Sequence, residues 1–327
     1  MGFDITSIFK IKDKPEFERL ALQVFKFQFE NNEVYRAFCN YLGKESENIK
    51  RLHDIPFLPI SFFKSKKIIS TPRPIEAIFT SSGTTSSQTS RHFVNDLSIY
   101  EESYVNAFEQ FYGKVDDYCI LALLPSYLER TGSSLIYMVQ DLIKKSNQSD
   151  SGFYLNDLKG LAKTLKSLET SGTKCILIGV SFALLDLAES YSLNLKTTIV
   201  METGGMKGRR KEMIRSELHE VLKSGLGVNK IHSEYGMTEL LSQAYSTGNG
   251  IFDCPPWMKI MTRDTEDPLT IQEHNKTGGI NVIDLANINS CSFVATQDLG
   301  KTYDDGSFEV LGRFDSSDIR GCNLMVL

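Results

Sequence analysis

The sequence predicts an α/β fold: a large part with helices on the faces of a sheet, followed by a smaller β-rich part. Three observations predict it. Between residues 96 and 231 short β-type runs alternate with helical ones, the pattern of a helix-flanked sheet. Beyond Gly250 the helical runs stop, and short β-type runs divided by Asp, Asn, Gly and Thr turns take over. At 327 residues the chain is long enough to bury a substantial core and to form two or three lobes. The boundary is set between an α/β part, 1–250, and a β-rich part, 251–327.

The elements follow in order. Helix is expected over 14–42, where Phe17, Leu20, Val24, Phe25 and Phe29 recur every three or four positions. The stretch 53–64 is densely apolar but broken by Pro56 and Pro59, so a buried extended segment crossing between lobes is expected there. The apolar stretch 75–79 runs into a hydroxyl-rich loop. Asp96 opens a helix over 96–112. Strands are then expected at 118–124, 174–179, 197–201 and 228–231, and helices at 132–144, 158–169, 182–190 and 209–222. The β-rich part supplies strands at 258–262, 279–285, 291–296 and 307–311.

Composition excludes several classes. The formal net charge of -5 leaves no basic footprint for nucleic acid, and the local clusters at 64–67 and 207–211 read as solvated faces. Six cysteines lie far apart with no C-x-x-C spacing, which argues for a reduced, cytoplasmic setting and against zinc. Charged residues interrupt the first turns, so no secretory leader is expected. The longest apolar run, 175–185, is too short to span a bilayer.

The chemistry concentrates in a few motifs. Ser81-Ser82-Gly83-Thr84-Thr85-Ser86 wraps one glycine in small hydroxyl residues, a loop whose amides and hydroxyls can converge on phosphate. No Gly-Lys-Ser/Thr closes it, so it is not a Walker loop. His232-Ser233-Glu234-Tyr235-Gly236-Met237-Thr238-Glu239, Thr296-Gln297-Asp298-Leu299-Gly300 and Gly312-Arg313-Phe314-Asp315-Ser316-Ser317-Asp318-Ile319 follow in that order.

Together these four elements resemble the acyl-adenylate-forming enzymes. The first is similar to their phosphate loop, Thr-Ser-Gly-Thr-Thr-Gly-x-Pro-Lys, with Ser86 at the second glycine and Gln88-Thr89 at the Pro-Lys pair. The others resemble Tyr-Gly-x-Thr-Glu, Thr-Gly-Asp-Leu-Gly and the Gly-Arg-x-Asp-Asp-x-Ile hinge. The resemblance implies an adenylation domain that uses ATP and Mg2+. Ser81, Ser82, Gly83, Thr84 and Thr85 then hold phosphates, Tyr235 packs on adenine with Gly236 and Thr238 beside it, and Glu239 holds Mg2+. Asp298 and Arg313 take the ribose. Gly204-Gly205 resembles the glycine pair that admits the adenine edge, with a helix N-cap turn as the other reading.

One branch is similar over residues 50–327: the acyl-protein synthetase (LuxE-type) component of the bacterial bioluminescence fatty-acid reductase. The segment 55–64 resembles its Ile-Pro-x-x-Pro-x-x-x-Phe-Lys signature. Near the C-terminus Cys322 resembles the cysteine that accepts the activated acyl group, and Arg320 is placed to lower its thiol pKa. A small apolar residue in a terminal strand is the other reading of Cys322. Only five residues follow it, so no C-terminal lid domain and no lid lysine are expected; Arg91, Lys207 and Arg320 stand as alternative cations. Tyr127, Leu128 and 131–135 are candidates to line the acyl channel.

The function expected from this resemblance is ATP-dependent activation of a carboxylic acid, long-chain fatty in this branch, and transfer to a cysteine of the enzyme. An acyl- or aryl-CoA or acyl-carrier-protein ligase stays open beside it, as does a non-catalytic nucleotide- or acyl-binding subunit. An acyl-reductase or acyl-carrier partner belongs with the expectation; nucleic acid and a membrane span do not.

Overall fold

The computed structural model describes residues 5–81, 89–125, 131–204 and 213–314. Two compact units emerge, one made of residues up to Pro72 together with those from Pro256 onward, the other of Arg73–Pro255. The chain opens with a 3-10 turn at Ile5–Lys10 and helix α1 (Lys14–Asn31), whose first turn is capped by the Asp13 carboxylate accepting from the Glu16 amide. Asn32 both ends α1 and caps α2 (Glu33–Tyr41), which is why the expected single helix is split. The proline-broken segment forms β1 (Leu58–Pro59) and the short α3 (Phe62–Ser65).

The second unit starts with the hairpin of β2 (Ala77–Thr80) and β3 (Arg91–Val94). Helix α4 (Leu97–Tyr112) begins where Asp96 accepts from the Ser98 amide, as the sequence predicts. Strand β4 (Cys119–Leu123), helix α5 (Ser134–Ser146), β5 (Gly152–Phe153), α6 (Leu158–Ser171), β6 (Cys175–Val180), α7 (Ser181–Ser190), β7 (Thr198–Thr203), α8 (Arg215–Leu226) and β8 (His232–Tyr235) follow. The sheet order is β5-β4-β6-β7-β8-β9, parallel except for β9 (Ala244–Ser246), and β10 (Ile251–Phe252) comes after it. Strands β4 and β6 are buried at every position, which is why they read as continuous apolar runs. From β4 the chain winds first to one side and then to the other, so a crevice is expected at the carboxyl ends of β4 and β6.

The chain then returns to the first unit. Strands β11 (Met258–Arg263), β12 (Thr277–Asp284), β13 (Phe293–Thr302) and β14 (Phe308–Arg313) form an antiparallel meander, and β1 adds in parallel on β13 through Leu58↔Val294. Gln28 of α1 donates to the carbonyls of Asn287 and Ile288 and accepts from the Ser292 amide. Phe25, Tyr35 and Phe57 pack around Phe293, with the Tyr35 and Phe293 rings stacked 6.0 Å apart. These contacts put residues 1–72 with the β-rich part rather than in the 1–250 part. The segment 53–64 lies inside this unit and does not cross between lobes. The passage to the second unit comes later, at Pro72–Arg73.

Candidate active site

The hydroxyl-rich loop is the connection of the β2–β3 hairpin. Its base is closed by Ser81, whose amide donates to Ser90 O at 3.2 Å and whose hydroxyl accepts from the Ser90 amide at 3.0 Å. Ser82, Gly83, Thr84 and Thr85 lie outside the described residues. Two residues beyond Ser90, buried His92 donates from Nδ1 to the Thr238 carbonyl at 2.8 Å. The base of the hairpin is thereby joined to the turn that holds Thr238 and Glu239. Glu239 is itself buried.

The expected strand at 228–231 is displaced: β8 is His232–Tyr235, so the motif is the strand and not its sequel. The reason is that Ser233 and Glu234 are buried polar residues, which a search for apolar runs passes over. Tyr235 is buried with its ring edge-on to Phe252 at 6.0 Å, and Arg215 covers the Phe252 ring at 5.0 Å. Gly204 follows β7 directly with φ +66°, a conformation that favours glycine. Its carbonyl accepts from Ser181 Oγ at 2.8 Å. The next described helix is α8, from Arg215. Gly205 is outside the described residues.

Two carboxylates that the sequence reading passed over stand at the ends of β7 and β8. Glu202 is buried, with Arg215 Nε at 3.2 Å and His219 Nε2 at 3.6 Å from its Oε1. Burial alone would raise its carboxyl; His219 and Arg215 outweigh that and hold it below the ordinary range. Glu234 is buried on the other face, accepts from Thr203 Oγ1, and is pushed up to about 7 by burial and by the charge of Glu202. The one signal for either in sequence is a charged residue closing a β-type run.

The first unit places Asp298 and Arg313 opposite each other on β13 and β14, with Arg313 Nε 3.4 Å from Asp298 Oδ1. The Asp298 amide donates to Thr296 Oγ1 at 3.1 Å. Buried Arg263, unforeseen in sequence, donates to the carbonyls of Ile280 at 2.7 Å and Thr296 at 2.6 Å and so fixes the start of this motif. Gly300 leaves room for the neighbouring strand, since a Cβ there would stand 2.4 Å from Glu309 O. Cys322 and Arg320, like Tyr127, Leu128 and Lys207, are outside the described residues.

Among the described residues no cluster of three or more His, Cys, Asp or Glu is arranged for a metal ion. A single carboxylate at Glu239 suits Mg2+, which takes its other ligands from phosphate and water. No described helix is long and apolar enough to cross a membrane.

A family model described as "Acyl-protein synthetase, LuxE" matches residues 9–327. The long-chain-fatty-acid–luciferin-component ligase of Vibrio harveyi is 21% identical over 343 aligned positions, covering 94% of this chain and 86% of that one. The fold is similar to that of 2-hydroxyisobutyryl-CoA ligase, solved in its postadenylation state, at TM-score 0.67 and 13% identity over 92% of this chain and 68% of the other. ATP-bound MatB from Rhodopseudomonas palustris aligns at TM-score 0.53 and 17% identity, over 75% of this chain. The chain spans about half the length of MatB, 50%.

Proposed function

The chain belongs to the LuxE acyl-protein synthetase family, and we propose on that premise that it activates a long-chain fatty acid with ATP and passes the acyl group to Cys322. The observation that carries the reading is the His92–Thr238 hydrogen bond, which ties the base of the hydroxyl-rich loop to the turn bearing Glu239.

In the first half-reaction a carboxylate oxygen attacks the α-phosphorus of ATP and pyrophosphate leaves, giving acyl-AMP. Ser82, Thr84 and Thr85 orient the outer phosphates, and Glu239 holds Mg2+, which when bound neutralises phosphate charge. Tyr235 and Gly204-Gly205 take the adenine, and Asp298 and Arg313 the ribose. In the second half-reaction the Cys322 thiolate attacks the acyl carbonyl, a thioester forms and AMP leaves. Arg320 raises the thiolate fraction. Cys39, Cys119, Cys175 and Cys291 are buried thiols, in keeping with a reducing cytoplasm as the site of the reaction. An acyl-reductase fits as the partner that takes the thioester onward.

The test is acid-dependent exchange of labelled pyrophosphate into ATP, followed by labelling of the protein with radioactive fatty acid. Exchange together with a hydroxylamine-sensitive protein label supports the reading. Exchange with label appearing only on added coenzyme A replaces it by a coenzyme A ligase, and no exchange removes acid activation altogether.

A further inference from the structure

Glu234 packs against two parts of the second unit at once. Its Oε2 accepts from Thr203 Oγ1, on the residue before Gly204. Its Oε1 lies 2.5 Å from where a Cβ on Gly236 would stand, so a larger residue there would have to push the carboxyl group aside. Gln243, just before β9, reaches the same point, with Cγ 3.4 Å from that Cβ position. Gln243 is buried, and its Oε1 has no hydrogen-bond partner.

We propose that Glu234 is a positioning residue for ATP, acting through Thr203 and Gly236 to hold Gly204 and Tyr235 in one arrangement. The inference rests on reading Gly204 and Tyr235 as the adenine-binding pair. Neither role needs Glu234 to touch the nucleotide. Its side chain sets the spacing between Thr203, next to Gly204, and Gly236, next to Tyr235.

The protonated form is the one that suits this bridge. A neutral carboxyl is the less costly form in so buried a place, since the Thr203 hydroxyl that it meets carries no charge. The titratable groups whose charge couples to Glu234 are Glu202, across the sheet on β7, Tyr112 on α4 and Tyr245 on β9. Burial raises both tyrosines, so they stay neutral, and Glu202 carries charge of the same sign. His232, on the same strand, is lowered to about 4 by burial and by Lys230, and is neutral too. Burial, eased by the Thr203 hydroxyl and reinforced by Glu202, puts Glu234 at about 7. Above that pH a second buried carboxylate forms across the sheet from Glu202.

The experiment is calorimetric ATP binding to the full chain at pH 6, 7 and 8, with thermal unfolding of every variant. Wild type is expected to lose about fivefold more affinity from pH 6 to 8 than Glu234→Gln, which cannot ionise and shares ATP's own titration. Glu234→Ala is expected to bind about tenfold more weakly at pH 6, and Glu234→Gln to stay much closer to wild type. Parallel pH slopes in wild type and Glu234→Gln overturn the proposal, as does an Ala variant within twofold of wild type. If Glu234→Ala does not fold, Thr203→Val takes its place; about threefold weaker binding supports the bridge, and unchanged binding overturns it. ATP binding without acid-dependent exchange sinks the acyl-activation reading, and the binding series still decides Glu234. No ATP binding by wild type at any pH ends both.

Discussion

Asp298 and Arg313 are register partners on adjacent antiparallel strands, and Arg313 Nε stands 3.4 Å from Asp298 Oδ1. The aspartate is largely buried and the arginine is 74% exposed, so solvent screens the pair and its stability contribution is about 1 kcal/mol at most. What the pairing does is fix an acceptor and a donor side by side. Arg313→Ala is therefore expected to leave the melting temperature nearly unchanged while weakening ATP binding about tenfold. Asp298→Ala weakens it by about 2 kcal/mol, the worth of charged hydrogen bonds to ribose. Calorimetry on both variants checks this; equal ATP affinity in wild type and Asp298→Ala takes the ribose role from the motif.

Glu239→Gln removes one charge and keeps the shape of a buried side chain. Acid-dependent ATP–pyrophosphate exchange is expected to fall at least about tenfold with the unfolding transition retained. A folded variant with wild-type exchange would place Glu239 outside the chemistry.

Cys322→Ser separates the two half-reactions, because a serine hydroxyl is barely ionised at neutral pH. Pyrophosphate exchange should persist and the covalent acyl label should vanish. Substituting Cys39, Cys119, Cys175, Cys254 or Cys291 should leave the label in place. A labelled Cys322→Ser protein moves the acceptor elsewhere.

A buried group and a half-buried one in the second unit oppose each other in pH. Glu234 rises from 4.5 to about 7 on folding, so the unfolded chain releases its proton first and stability falls as pH climbs across that window, by about 3 kcal/mol. His232 drops from 6.5 to about 4, so the unfolded chain binds a proton first and stability falls as pH descends through that range. Allowing for the partial exposure of His232, its share is about 2 kcal/mol. Between pH 4.5 and 6.5 the two slopes largely cancel. Glu234→Gln should uncover the histidine slope, with denaturant midpoints rising from pH 4.5 to 6.5 where wild type stays nearly level. A flat Glu234→Gln profile contradicts the assignment.

Apolar periodicity and capping made much of the second unit legible. Asp96 marked the start of α4, and the wholly buried β4 and β6 stood out as apolar runs. Reading failed where polar side chains are buried for a purpose. Ser233 and Glu234 hid β8, because what makes that segment a strand is pairing with β7 and the Thr203 hydroxyl, neither of which is local. Glu202 was invisible for the same reason, its partners Arg215 and His219 arriving from a helix further along. The motif at Thr296–Gly300 was recognised, yet Arg263, which anchors it, has no signature of its own. Nothing near Gln28 indicates that its partners lie 259 and 260 residues away.

That last separation has a consequence for synthesis. The Arg73–Pro255 unit is continuous and can close as soon as it leaves the ribosome. Helix α1 has to wait for the stretch 287–292, and at about 5–20 residues per second the wait is on the order of tens of seconds. Through that interval Leu20, Val24, Phe25 and Gln28, all buried in the finished protein, lack the cover that 287–293 supplies. The nascent chain is thus most exposed to aggregation at its oldest helix, and chaperone demand should track the time taken to translate the intervening unit. Slowing translation between residues 73 and 255 should lower soluble yield, whereas slowing it after 302, when β13 is already made, should do so far less.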